Sequence, residues 1–183
     1  MKPMGPLRLA ALLVLVAACA TPSLARAAEP APADPWAGWR FLAGDWTAEG
    51  DAAKGTGAFS FRFELDDHVL VRKNHADVPA ANGRPAARHD DLMVVYPGAG
   101  KEAIYFDNEG HVLRYSAEIS ADGKVITLVT TPVASAPRFR LTYTKLAEVE
   151  VDIRFEIAPA QSPESFTPYL SGRARRTSAP PAH

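Results

Sequence analysis

The chain has a single cysteine in 183 residues, so no internal disulfide can form and stability must come from packing. Charge is almost balanced, with 20 Lys and Arg against 21 Asp and Glu and a net charge of -1. That balance removes the concentrated basic surface on which nucleic-acid binding depends, and nucleic acid is set aside as a partner. No apolar run reaches the roughly 18–20 residues of a membrane-spanning helix. Nucleophile-elbow, phosphate-loop, Gly-x-Gly-x-x-Gly and Cys-x-x-Cys patterns are all missing, which counts against the common hydrolase, nucleotide and redox classes. A hydrophobic share of 47% with 22% charged residues is that of an ordinary globular domain.

The first residues read as a targeting segment. Lys2 and Arg8 precede the apolar run Leu9 to Ala18, and Ala25-Arg26-Ala27 offers small residues where a signal peptidase reads. Residues 1–27 are therefore expected to be a signal peptide, with the mature chain starting at Ala28 and no cysteine left in it. A second reading uses Cys19: Val16-Ala17-Ala18-Cys19 resembles a bacterial lipobox, in which the cysteine is lipidated and anchors the protein to a membrane. Both readings place the protein outside the cytoplasm, in the periplasm or as an outer-membrane lipoprotein. Residues 28–35 form an Ala/Pro linker and 177–183 a Ser/Pro/Ala tail, neither apolar enough to offset its ordering entropy. A domain of roughly 140 residues remains, 36–176, the usual size for one core.

Within it, Trp36, Trp39 and Leu42 stand at helical spacing and predict one short capping helix. From Gly44 the period becomes two. Phe59, Phe61, Phe63 and Leu65 alternate with Ser60, Arg62 and Glu64, and Val149, Val151, Ile153, Phe155 and Ile157 alternate with Glu150, Asp152, Arg154 and Glu156. The same reading gives about ten strands, at 44–51, 56–65, 68–77, 89–96, 102–108, 111–119, 124–131, 138–145, 148–157 and 169–176. Turn chemistry at Asp66-Asp67, Gly98 to Gly100, Asn108-Glu109-Gly110, Asp122-Gly123 and Leu146-Ala147 makes consecutive strands antiparallel neighbours. The expectation is an all-β, closed, up-and-down antiparallel barrel, closure removing exposed edges. Alternate connections then share a rim. Segments 52–55, 78–88, 108–110, 132–137 and 158–168 fall at one open end, and the tight turns with the helix at the other.

Gly44-Asp45-Trp46 at the head of the first strand resembles the Gly-x-Trp opening of lipocalin-type (calycin) barrels. That resemblance implies a floor tryptophan, Trp46, packed beside an arginine from the last strand, Arg173 or Arg175. Phe41-Leu42-Ala43-Gly44-Asp45-Trp46 followed by a Gly-rich turn and ten strands looks more like nitrobindin-type barrels and the exported bacterial families of unknown function related to them. The likeness covers residues 38–176 and speaks for fold more than activity. In nitrobindin a histidine near the C-terminus binds haem iron. No histidine lies between His111 and His183, so haem is disfavoured, and any haem ligand would have to be His68, His75 or His111 pointing inward. No cofactor is expected.

Two sets of residues are candidates for function. Phe59, Phe61, Phe63, Tyr96, Phe106, Tyr115, Phe139, Tyr143 and Phe155 are expected to line the interior, where a barrel wider than eight strands leaves space for an apolar ligand. The loops 78–88, 132–137 and 158–168 would frame its access. Polar residues gather at the same rim: Asn74 and His75 lie opposite His89, Asp90 and Asp91, and Asp107 and His111 flank the 108–110 turn. His75, His89, Asp90, Asp107 and His111 could hold a metal or act as acid and base. Solvated turn chemistry explains them equally, and Asn108-Glu109-Gly110 needs only a positive φ. The expectations for function are thus a non-enzymatic carrier of a small apolar molecule, a rim-based enzyme, and an interaction module.

Overall fold

The period-two pattern is built as expected. A computed structural model describes residues 34–50, 55–81, 83–98 and 100–178. The expected signal peptide, the linker to residue 33, Cys19 and residues 179–183 lie outside the described residues. Ten strands follow in order: β1 (Gly44–Glu49), β2 (Thr56–Glu64), β3 (Val69–Val78), β4 (Ala87–Pro97), β5 (Lys101–Asp107), β6 (Val112–Ile119), β7 (Val125–Thr130), β8 (Arg138–Ala147), β9 (Glu150–Ala158) and β10 (Thr167–Ser178). Each pairs antiparallel with the next, and β1 pairs with β10 to close the barrel. β10 runs to Ser178, two residues into the stretch expected to be tail, with the Thr177 hydroxyl donating to the Asp45 carbonyl at 3.3 Å.

The expected helix at the barrel end is smaller than its spacing suggests. Only a 3₁₀ turn forms, Arg40–Leu42, with bonds from Leu42 N to Trp39 O at 2.9 Å and Ala43 N to Arg40 O at 3.2 Å. The segment is too short to repay α-helix nucleation, so the tighter turn is what survives. It still caps: Trp36, Trp39 and Leu42 are buried with Trp46, Phe61, Leu70, Val95, Ile126 and Val151. Burying each large side chain contributes about 1.5–3 kcal/mol. The cap sits so close to β6 that a Cβ on Gly38 would meet Ile119 at 2.9 Å. The adjoining turn takes left-handed backbone at Leu65, Asp66 and Asp67 (φ 55, 54 and 61°). Trp36 Nε1, donating to Asp67 O at 2.6 Å, helps hold it there.

The hairpin after β8 turns at Glu148 and Val149, two residues beyond Leu146-Ala147, because a bulge between Lys145 and Ala147 shifts the register. Val149 is consequently exposed. The calycin-like floor pairing also moves by one position. Trp46 lies opposite Arg176, whose guanidinium sits 4.4 Å from the Trp46 ring centre and donates to the carbonyls of Phe41 (2.6 Å) and Ala43. Arg173 and Arg175 are one residue out of phase, so they face solvent and pair with Glu150 at 3.0 Å and Glu49 at 2.6 Å. Among the described residues no helix is long and apolar enough to cross a membrane.

Candidate functional site

Strand alternation decides which expected residues meet. Phe59, Phe61, Phe63, Tyr115, Phe139, Tyr143 and Phe155 share the phase of the core. Tyr96 and Phe106 do not. Their neighbours Val95 and Tyr105 point inward, leaving Tyr96 on the outside bonded to Glu102 at 3.1 Å and Phe106 43% exposed. Phe61 and Phe63 belong to the filled closed end, Phe63 packing on Trp36 at 5.4 Å. The inward residues nearer the long-loop rim keep partial exposure: Leu113, Phe139, Ile153 and Phe155 are half-buried, and Ala48, Leu170 and Gly172 are exposed. The interior is therefore a cup, packed below and open above.

Its two walls differ in chemistry. On β8–β10, Phe139 and Phe155 stack at 5.8 Å and Tyr169 meets Phe155 edge-on at 6.1 Å, a bulge between Pro168 and Leu170 re-aiming it. Leu170 pairs opposite Phe155. Across the barrel, β3–β6 carry a polar chain. Arg72 Nη1 donates to Asp91 at 2.5 Å and Asn74 Nδ2 to the same carboxylate at 2.8 Å. His89 Nε2 lies 3.5 Å from Asp91 and 3.0 Å from the Tyr105 hydroxyl, which donates to Asp107 at 3.3 Å. Asp107 bonds His111 Nδ1 at 2.8 Å, and Glu109 reaches His89 Nδ1 at 3.1 Å.

The chain runs from solvent to the barrel centre. The Asp91 and Asp107 side chains are each 4% exposed, whereas that of His111 is 59% exposed. Burial works to raise the Asp107 carboxyl, but hydrogen bonds from the His111 backbone and ring outweigh it and hold the pKa below its ordinary value. The same ring contact raises His111. Burial pushes the Tyr105 and Tyr115 phenols up, and Tyr143 up to about 12, so all three are protonated at neutral pH. Burial disfavours the Arg72 charge. Tyr143 and Asp91 favour it, the balance lies above the ordinary arginine value, and the guanidinium stays protonated.

Three buried side-chain atoms have no hydrogen-bond partner among the described residues: Trp39 Nε1 in the packed cap and, at the foot of this chain, Arg72 Nε and the Tyr143 hydroxyl. The latter two side chains pack on Phe59, the Arg72 guanidinium 5.8 Å and the Tyr143 ring 6.1 Å from its centre. A buried donor left unmatched costs about 1–3 kcal/mol. Asn74 and Asp91 were expected at the rim though not among its candidate ligands, and Arg72 and Tyr105 were not expected there, yet these four form most of the polar wall. The signal was a polar run in apolar phase, Leu70-x-Arg72-x-Asn74, on β3.

The expected rim cluster divides. His89, Asp107 and His111 share the inner mouth. His75 and Asp90 are cross-strand partners on the outer face, because Asn74 opposite Asp91 and Ala76 opposite His89 take the inward phase. Asp90 pairs with Arg88 there at 3.0 Å. The two open depressions on this side, of about 370 and 480 Å³, run beside the 79–86 loop and across the outer face of β1–β4. Neither contains the unmatched atoms of the cup. Among the described residues no group of three or more His, Cys, Asp or Glu side chains is arranged to hold a metal ion. Of the histidines considered as haem ligands, His68 bonds Leu65 O at 2.5 Å in a closed-end turn, His75 faces outward and His111 bonds Asp107 at the mouth.

No family model and no curated protein sequence matches the chain. Among solved structures it is similar to Treponema pallidum Tp0751 (Pallilysin), with 15% identity, 76% of this chain and 80% of that chain covered, and a TM-score of 0.36. So slight a likeness assigns no function.

Proposed function

We propose that this protein is a binding barrel whose cup holds one small amphipathic molecule, apolar body against Phe139, Phe155 and Leu170, polar end toward Arg72 and His89. The observation that carries this reading is the pair of unmatched buried polar atoms at the foot of an open, two-sided cup. Such groups cost folding free energy until something satisfies them. The expectation of a purely apolar ligand is narrowed accordingly. On the sequence evidence the protein acts outside the cytoplasm, and the Trp46–Arg176 floor supports kinship with lipocalin-type barrels. A second reading, acid/base chemistry on the bound molecule, is favoured by the contact between His111 and the nearly buried Asp107.

Titration with the neutral fluorophore N-phenyl-1-naphthylamine tests the first reading. Saturable fluorescence enhancement is expected, weakened about tenfold, or about 1.4 kcal/mol, by Phe155→Glu and unchanged by Phe106→Glu on the outer face. Equal loss in both variants, or no enhancement in the natural protein, would overturn it.

A further inference from the structure

The binding reading leaves the ligand's polar end undefined, and the charges already present in the cup define it. Arg72 carries the buried positive charge that the ligand's polar end would face. That charge is matched: Asp91 accepts from Nη1 at 2.5 Å and is fixed by Asn74 at 2.8 Å, with 4% of its side chain exposed. The same wall holds a second nearly buried carboxylate, Asp107, whose counter-charge, His111, stands mostly in solvent. The buried part of the wall thus holds one cation and two carboxylates before anything binds. An anionic end would add an uncompensated charge to it, at a cost of several kcal/mol. A cationic end would approach the guanidinium. What remains unmatched is hydrogen-bonding capacity, on Arg72 Nε and the Tyr143 hydroxyl.

We propose that the cup selects an uncharged polar end bearing an acceptor oxygen, such as an alcohol, ketone, ester or amide, and discriminates against the corresponding carboxylate. Arg72 Nε and the Tyr143 hydroxyl have no accessible surface in the unliganded protein, so they donate to that oxygen only as the side chains over them part to admit it. This rests on the binding reading above and specifies its ligand.

The test is displacement of N-phenyl-1-naphthylamine by 1-decanol and by decanoate at pH 8, in the natural full-length protein and two variants. Decanol should displace the probe at a concentration lower by tenfold or more. Since decanol also leaves water more readily, the variants separate the causes. Asp91→Asn removes the charge that neutralises Arg72 and should improve decanoate relative to decanol by about tenfold. Tyr143→Phe should weaken decanol several-fold while leaving the ring packing intact. Equal or better displacement by decanoate in the natural protein, or an unchanged ratio in a folded Asp91→Asn protein, would overturn the head-group inference while probe binding persists. Should the probe itself fail to bind, the binding reading falls and the inference with it. If Asp91→Asn does not fold, an unaltered decanol affinity in Tyr143→Phe is the overturning result.

Discussion

Replacing Tyr143 by phenylalanine should make the unliganded protein more stable, although Tyr143 is fully buried at the centre of the barrel. The ring packs edge-on to Phe61 at 5.6 Å and tilted against Phe59 at 6.1 Å, and phenylalanine keeps both contacts. Only the hydroxyl is lost, and it has no partner among the described residues. In the unfolded chain that hydroxyl is hydrated, so folding leaves it unmatched at a cost of about 1–3 kcal/mol. Removing it should raise unfolding free energy by about 1–2 kcal/mol. For a domain near 150 residues this corresponds to roughly 2–8 °C in Tm. Urea unfolding followed by circular dichroism gives the free energy, and an unchanged m-value would show that the compactness of both states is the same. The same substitution should weaken decanol, so stability and binding move in opposite directions. A loss of about 1 kcal/mol or more would mean that the hydroxyl is hydrogen-bonded in the folded protein, and the reasoning from an unmatched group would fail.

Other outcomes follow from the same geometry. Arg176→Met should cost about 2–3 kcal/mol through lost charged hydrogen bonds and the contact with Trp46, whereas Arg173→Met and Arg175→Met should each cost less than about 1 kcal/mol, by thermal unfolding. His111 is raised above its ordinary value of 6.5 and Asp107 held below its ordinary 3.8. The histidine's stabilising part is complete below 6.5 and lost as pH rises through its raised midpoint, and the carboxylate's is complete above 3.8 and lost as pH falls through its lowered one. The pair therefore contributes most between those limits. An NMR titration of the His111 ring should show a midpoint that falls in Asp107→Asn, and an unmoved midpoint would remove Asp107 as its cause. Arg138 and Arg140 lie over the Phe166 ring at 5.6 and 4.3 Å, so Phe166→Ala should speed hydrogen exchange in the 159–166 loop and leave the closed-end strands protected.

Barrel class, strand number and rim polarity were legible because alternation and hairpin turns are local signals. Phase was legible where one parity is purely apolar, as in Phe59, Phe61 and Phe63. It was ambiguous where both parities are apolar, as in Leu92-Met93-Val94-Val95-Tyr96 and Ile104-Tyr105-Phe106, and a slip of one residue reverses every side chain. That is why Tyr96 and Phe106 were expected inside and Tyr105 was overlooked. The floor arginine failed for a related reason: Arg173, Arg175 and Arg176 span both phases, and the bulge between Asp45 and Trp46 sets which one reaches the ring. The polar wall was only partly visible because Arg72 stands in an apolar phase of β3 with no role attached to it, and its contact with Asp91 appears only in the folded barrel.

Native mass spectrometry of the full protein taken from its own host tests the central claim most directly. The account predicts an added mass equal to one small uncharged organic molecule, lost in Phe155→Glu. A bare polypeptide mass, together with no displacement of probe by decanol, would contradict it.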